Sequence, residues 1–195
     1  MNGRAPLALP VLLLALAAAP SAAQIPRRGG LWADAGAGYG RLRLTCATCS
    51  NTAGAEGTEV TVTLGGAPTA NVLLGLQAQT WASAGAGASQ QVRSLTAIVQ
   101  WYPWPAAGWF VRAGTGIVQG PVTPRTDSAA PATVQGTGVG LDFGFGYDFP
   151  VSEHFGITVQ AATHIAALGD LEVGGQPAND VIAYVARLGF AVVFR

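Results

Sequence analysis

The stretch GTGVGLDFGFGYDFP, residues 136–150, alternates between two kinds of side chain almost without error. One parity holds Val139, Leu141, Phe143, Phe145 and Tyr147, and the other holds glycine and aspartate. Successive side chains of a β-strand point to opposite faces of the sheet. The stretch therefore predicts a strand with a large apolar wall on one face and glycine with acid on the other.

The N-terminus has the pattern of a secretory signal peptide. Residues 1–4 carry one positive charge, an apolar run follows, and Ser21-Ala22-Ala23 is a small-residue cleavage site. A transmembrane anchor is the weaker interpretation, because the run contains Pro10 and falls short of the roughly 20 residues that a spanning helix needs. We therefore predict a signal peptide over residues 1–23 and one domain over residues 24–195.

The composition argues against a soluble domain. Only 10% of the residues are charged, whereas soluble surfaces are about 25–35% charged. The formal net charge is zero and the sequence shows no basic patch, so we expect no nucleic-acid partner. No run after the signal peptide is long and apolar enough for a helix to cross a bilayer. Together these features favour a β-barrel in a membrane.

Alternating apolar residues predict eight strands. Their predicted ranges are 31–43, 58–65, 71–81, 91–102, 108–118, 136–148, 154–164 and 181–194. The connections at 65–70, 103–107 and 149–153 are short and rich in Pro or Gly, while those at 44–58, 82–90, 119–134 and 165–180 are longer. Short periplasmic turns and long outer loops are typical of outer-membrane barrels. The pattern therefore predicts an all-β, transmembrane, up-and-down antiparallel eight-stranded β-barrel.

A soluble barrel of the lipocalin kind is the main alternative. It needs apolar residues inside and a charged, hydrated face outside. Here the non-apolar parity is mostly Gly, Thr, Ser and Gln, which suits a narrow lumen better than a water-facing surface. Aromatic residues near the predicted strand ends fit the girdles that membrane barrels place at the two interfaces. They are Tyr39, Trp101, Tyr102, Trp109, Tyr147, Phe155, Tyr184 and Phe194.

The chain resembles the small outer-membrane β-barrel superfamily, in the eight-stranded style of OmpA, OmpX and OmpW. The signal peptide, NVLLGLQAQTW, YPWPAAGWFVRAGTG and the ending RLGFAVVF carry this resemblance. It implies a location in the bacterial outer membrane, contact with outer-membrane lipid, and the barrel-assembly machinery as a partner during biogenesis. We expect a monomer.

The ending is similar to the family's C-terminal assembly signal, with Phe190 and Phe194 as its residues, although Arg195 follows the last aromatic. An unclosed strand edge in lipid leaves backbone groups unsatisfied. Truncation before Phe190 should therefore leave the protein aggregated or degraded in the periplasm. Normal yields of heat-modifiable barrel would contradict this assignment.

Cys46 and Cys49 form a CxxC sequence in the first long loop. In a secreted chain, a small disulfide that stiffens the loop is the favoured interpretation. A redox motif would need a helix N-terminus, and a metal site would need further ligands; nothing near the two cysteines supplies either. We expect no labelling of free thiols without reductant, and no metal or cofactor.

The two histidines are the residues that an enzyme would most plausibly use. His154 falls in a short turn beside Glu153, and His164 falls at the predicted outer end of the seventh strand. A hydrolase needs a nucleophile held by a base, with an acid that orients the base, and no Ser lies at 162 or 166. We interpret both histidines as polar rim residues and expect no enzymatic activity.

Charged residues on the inward parity are more informative. Asp34, Glu59, Arg112, Asp142 and Arg187 all point into the predicted lumen. An eight-stranded barrel is just wide enough for side chains to fill it, and charges there must be paired or wet. We predict a structural network in which Arg112 meets Asp142 and Arg187 meets Asp34, unless the shear of the barrel exchanges the partners. A selective ion path is the second interpretation.

Three classes of function remain open from the sequence. The first is a structural or surface-exposed barrel with a largely filled lumen that presents its loops to partners. The second is a narrow passive channel, or a conduit for small or hydrophobic molecules. The third is a lipid-active enzyme. The first is favoured because the lumen is predicted to be filled and the sequence contains no catalytic set.

Overall fold

The chain forms one closed antiparallel barrel, as the sequence predicts. The computed structural model describes residues 29–45, 54–85, 88–120, 136–173 and 176–195. The predicted signal peptide, Cys46 and Cys49 lie outside these residues. The strands are β1 (Gly30–Thr45), β2 (Ala55–Thr69), β3 (Val72–Gly85), β4 (Ala88–Trp101), β5 (Trp109–Gly120), β6 (Gly136–Pro150), β7 (Phe155–Val173) and β8 (Gln176–Phe194).

Each strand pairs with its neighbours in chain order, and β8 pairs with β1 to close the barrel. The closing register begins where Ala33 lies opposite Phe194 and ends where Thr45 lies opposite Ile182. A short 3-10 turn, Pro105–Ala107, interrupts the connection between β4 and β5.

Among the described residues, no helix is long and apolar enough to cross a membrane.

Two segments predicted as loops are β-hairpins. Within the predicted loop at 165–180, β7 extends to Val173 and β8 begins at Gln176. Within the predicted loop at 82–90, β3 and β4 pair up to Gly85 and Ala88. The sequence prediction followed apolar alternation, which reports only the lipid-facing part of a strand. Backbone pairing needs no such alternation, so it continues beyond that part.

The outside of the barrel is apolar on every strand. In β6 the wall of Leu141, Phe143 and Phe145 is exposed, while Asp142 is fully buried inside. Phe145 is 58% exposed and Leu188 on β8 is 62% exposed. An apolar surface that encircles the whole barrel is not tolerated in water, whereas lipid is its natural surrounding. The apolar parity of the opening stretch therefore faces lipid.

The lumen is filled in three layers. An apolar cluster lies at the end with short turns and a second one lies at the loop end, with polar side chains between them. The first cluster is Trp32, Leu73, Ile98, Tyr102, Phe110 and Val193. The second is Leu42, Trp81, Val92, Val118, Ala166, Leu168, Val181, Ala183 and Val185. Five strands each contribute a residue to the first cluster on one side of the polar layer and a residue to the second cluster on the other side. They are β1, β3, β4, β5 and β8.

Inward-facing glycines leave room for the large side chains of these layers. A Cβ placed on Gly57 would lie 2.7 Å from the indole of Trp81, and one on Gly140 would lie 2.7 Å from Nε2 of His164. Close-packed interiors do not tolerate such overlaps. The abundance of glycine on the inward parity is thus a packing requirement of a narrow lumen.

The structure corrects one member of the predicted aromatic girdle. Tyr102 is fully buried and belongs to the apolar cluster at the short-turn end, whereas Trp101 is 49% exposed. Adjacent residues of a strand point to opposite faces, so both rings could not face lipid. The backbone N–H of Tyr102 donates to the carbonyl of Asn71 at 2.8 Å, which holds the ring across the mouth of the barrel.

Candidate functional site: the polar layer of the lumen

Arg187 on β8 is the centre of the polar layer. Its Nη1 lies 2.9 Å from Oε1 of Glu59 on β2, and its Nη2 lies 2.8 Å from Oδ2 of Asp142 on β6. Nη1 also donates to the side-chain oxygen of Gln79 on β3. All of these side chains are buried. One guanidinium therefore ties three other strands together across the lumen.

Asp142 is shared by three cationic or polar partners. Besides Arg187, Nε of Arg112 on β5 lies 3.5 Å from its Oδ1, and Nδ1 of His164 on β7 lies 3.6 Å from its Oδ2. The neighbouring pair of Arg112 and Asp142 is one that the sequence predicted, and the structure places the two charges together. The lumen network therefore joins six strands, β2, β3, β5, β6, β7 and β8.

The predicted pair of Arg187 with Asp34 is not formed. Although β1 and β8 are neighbours, Arg187 lies opposite Gly40 and Asp34 lies opposite Val193. Six residues separate Gly40 from Asp34, which is about 20 Å along a strand. Asp34 instead lies opposite Thr63 on β2. The stagger of the barrel, which sequence alternation does not report, therefore gives Arg187 different partners.

His164 is not the rim residue that the sequence predicted. Its side chain is 1% exposed and faces the lumen. It does not lie at the rim, because β7 extends nine residues beyond it to Val173. The signal for this was available, since His164 shares its parity with the buried Thr158 and Gln160. His154 is exposed in the turn before β7, where its ring stacks on Phe194 with centroids 6.3 Å apart.

Sequence analysis also missed a second polar site at the short-turn mouth. Asp148 is 2% exposed and accepts hydrogen bonds from Tyr102, Thr158 and the C-terminal Arg195. The hydroxyl of Tyr102 in turn accepts a bond of 2.5 Å from the amide of Gln100. Asp148 lies on the same parity as Asp142, so the alternation already indicated an inward position.

The predicted assembly residues lie on the opposite side of the wall. Phe190 and Phe194 are 60% and 46% exposed on the lipid-facing surface. Arg195 turns inward to Asp148, and its backbone N–H donates to the carbonyl of His154 at 2.9 Å. Recognition of the two aromatic residues by the assembly machinery stays a prediction.

Little space remains inside the described part of the barrel. The cavity beside Glu59 and Arg187 has a volume of about 10 Å³, at the lower limit of the roughly 10–15 Å³ that one water molecule needs. A larger cavity of about 510 Å³ is a groove on the lipid-facing wall beside Phe145 and Leu188. Among the described residues, no group of three or more His, Cys, Asp or Glu side chains could hold a metal ion.

A closed eight-stranded barrel with an apolar exterior and an ion-paired interior defines the class of this protein. The chain has the fold of the small outer-membrane β-barrels, and its apolar exterior is the surface that such a barrel turns to lipid.

Solved structures of two bacterial proteins share this fold. Neisserial surface protein A (NspA) is 12% identical with a TM-score of 0.55, over 84% of this chain and 96% of NspA. Ail, the attachment invasion locus protein of Yersinia pestis, is 13% identical with a TM-score of 0.56, over 85% of this chain and 99% of Ail. No protein-family model matches the sequence, and no curated protein matches it. At these identities the likeness concerns the fold.

Proposed function

We propose that this protein is a non-conducting outer-membrane barrel that acts through the segments it presents at its loop end. The observation that carries the proposal is the filled lumen, in which an ion-paired layer lies between two apolar clusters. A path for ions would have to cross both clusters, and transfer of a charge through an apolar layer is costly. Within the described residues, the cavity beside Glu59 and Arg187 has a volume of about 10 Å³, which is too small for a substrate.

The hairpin of β7 and β8 supports a role in binding at the cell surface. Each strand has 19 residues, whereas about 9–11 residues suffice to cross the membrane. β6 pairs with β7 only as far as Ala167, and β1 pairs with β8 only as far as Ile182. Beyond these residues the two strands pair with each other up to Val173 and Gln176. The hairpin therefore projects outward.

The backbone N–H and C=O groups along the outer edges of the projecting hairpin are not paired with any other described strand. Such an edge can accept an extended segment of another protein as an additional strand. Each edge carries one residue of positive φ, Gly169 at 71° on β7 and Asp180 at 54° on β8, but Pro177 on β8 also lacks an N–H to donate to an added strand. We propose that a partner pairs along the β7 edge, between Ala167 and Val173.

Planar-bilayer recording of the refolded protein tests the closed lumen. We expect no unitary conductance steps from the wild type. The matched positive control replaces Trp32 and Trp81 with Ala, which removes the largest side chain of each apolar cluster and should produce steps. Regular steps from the wild type would overturn the proposal and favour the narrow channel.

Selection of peptides displayed on phage against the protein in lipid nanodiscs tests the binding role. The counter-selection uses a variant in which residues 170–179 are replaced by an Asn-Gly turn. We expect peptides that bind the wild type and lose binding to the shortened hairpin. Enrichment that is equal on both proteins would contradict a role for the hairpin.

A further inference from the structure

The arginines of the described residues fall into two groups. Arg112, Arg187 and Arg195 point inward, and each lies within 4 Å of a carboxylate oxygen. Arg41, Arg43 and Arg93 are exposed on the outside of the barrel. Within the described ranges, none of these three forms an ion pair, and Arg93 donates only to the side chain of Gln91. The exterior arginines are therefore available to a ligand.

All three exterior arginines lie at the loop end of the barrel. Arg41 and Arg43 lie on the lipid-facing parity of β1, on the loop side of Tyr39. Arg93 lies on the lipid-facing parity of β4, on the loop side of Leu95. The lipid-facing residues at the short-turn end are aromatic instead, and no described arginine lies outside the barrel there. The aromatic residues are Trp101, Trp109, Phe155 and Phe194. The two membrane interfaces of the described barrel thus differ in their exterior arginines.

Arg41 and Arg43 form a pair on one face of one strand. Two residues span about 7 Å along a strand, so the two guanidinium groups can reach the same or adjacent anionic groups. Their neighbours on β8 are Ala186 and Tyr184, which carry no charge. Glu56 on β2 lies opposite Arg41. Its carboxylate accepts a hydrogen bond of 2.6 Å from the hydroxyl of Tyr39 and is not within ion-pair distance of either arginine.

We propose that Arg41 and Arg43 form a binding site for the phosphate groups of an outer-leaflet lipid. Guanidinium groups bind phosphate oxygens through two parallel hydrogen bonds. The arginine stems rise from the lipid-facing wall, so they can lie along apolar surface while their charged ends reach the headgroup level. A ligand anchored in the same leaflet meets both requirements. This site is separate from the hairpin proposed to bind protein partners.

Native mass spectrometry of the barrel in nanodiscs tests this site. The probe is bisphosphorylated lipid A added to phosphatidylcholine. Loss of one guanidinium–phosphate contact should cost about 1 kcal/mol, which corresponds to roughly fivefold in affinity. We expect each of Arg41→Gln and Arg43→Gln to weaken lipid A retention about fivefold, and the double variant roughly 30-fold. All variants should keep the heat-modifiable gel shift of the folded barrel, since the two side chains are exposed.

Arg93→Gln is the matched control, because it removes an exterior arginine that has no arginine beside it. We expect it to change lipid A retention by less than twofold. A loss equal to that of Arg41→Gln would show general attraction to a charged surface and overturn the site. Inorganic phosphate added to phosphatidylcholine nanodiscs should not compete with lipid A. Full competition would show a site for free anions and overturn the lipid assignment.

Discussion

Replacement of Arg187 by Leu tests the energetic role of the lumen network. Arg187 pairs with Glu59 at 2.9 Å and with Asp142 at 2.8 Å, and both contacts are buried. After the substitution, Asp142 still has Arg112 at 3.5 Å. Among the described residues, Glu59 then has no ion-pair partner and keeps the hydrogen bond from the amide of Gln79, at 3.4 Å. The variant therefore leaves one buried carboxylate without a cation.

The expected cost follows from that unpaired charge. Removal of one member of a buried ion pair destabilises proteins by about 3–5 kcal/mol, and we expect a loss in this range for Arg187→Leu. Additional replacement of Glu59 by Leu removes the stranded carboxylate. Apolar groups of similar volume often substitute for a buried pair without further cost. The double variant should therefore recover at least about 1 kcal/mol of the loss.

Urea unfolding of the protein in lipid vesicles, followed by tryptophan fluorescence, measures both quantities. The control is Arg187→Leu combined with Asp34→Leu, because Asp34 is buried in the same lumen but, unlike Glu59, is not within ion-pair distance of Arg187. This control should recover less stability than the double variant with Glu59. Equal recovery in the two double variants would refute the pairing seen in the structure. Wild-type stability of the single variant, together with altered conductance, would indicate a hydrated ion path.

Two further changes test the packing and the mouth of the barrel. Gly140→Ala should lower the free energy of unfolding in urea by about 1–3 kcal/mol, because the new methyl group meets His164. Gly66→Ala should be neutral, because its Cβ has its nearest neighbour at 3.6 Å. A larger loss of stability for Gly66→Ala than for Gly140→Ala would contradict the filled lumen. Deletion of Arg195 should lower stability by about 1–3 kcal/mol through loss of its bond to Asp148 and leave membrane insertion unchanged. An unchanged urea midpoint would argue against this contact.

The sequence was sufficient to predict the fold because lipid imposes a simple rule on each strand. Every second side chain faces hydrocarbon, so the apolar wall from Val139 to Tyr147 and the similar wall of β8 report strand, face and membrane together. Strand ends were less predictable. Beyond Ala167 the hairpin of β7 and β8 leaves the lipid-facing belt, and backbone pairing continues there without an apolar signal.

The site was predictable in its composition and not in its pairing. Alternation alone places Asp34, Glu59, Arg112, Asp142 and Arg187 inside, and the structure finds all five buried. Which charges meet depends on the stagger between strands, a property of the closed barrel as a whole. The position of His164 was missed for a related reason, since its height in the wall depends on where β7 ends.

The placement of the arginines connects the closed lumen to the function proposed for the outside. A barrel of eight strands has an interior about as wide as the side chains that fill it, so an inward charge can meet only groups of the barrel itself. Arg112, Arg187 and Arg195 each lie within ion-pair distance of a buried carboxylate, so their charges act inside the barrel. Among the described arginines, those exposed to the surroundings lie outside, at the loop end, where the projecting hairpin also offers its backbone. Binding by this protein is therefore expected at its outer rim, toward lipid headgroups and extended segments of other proteins.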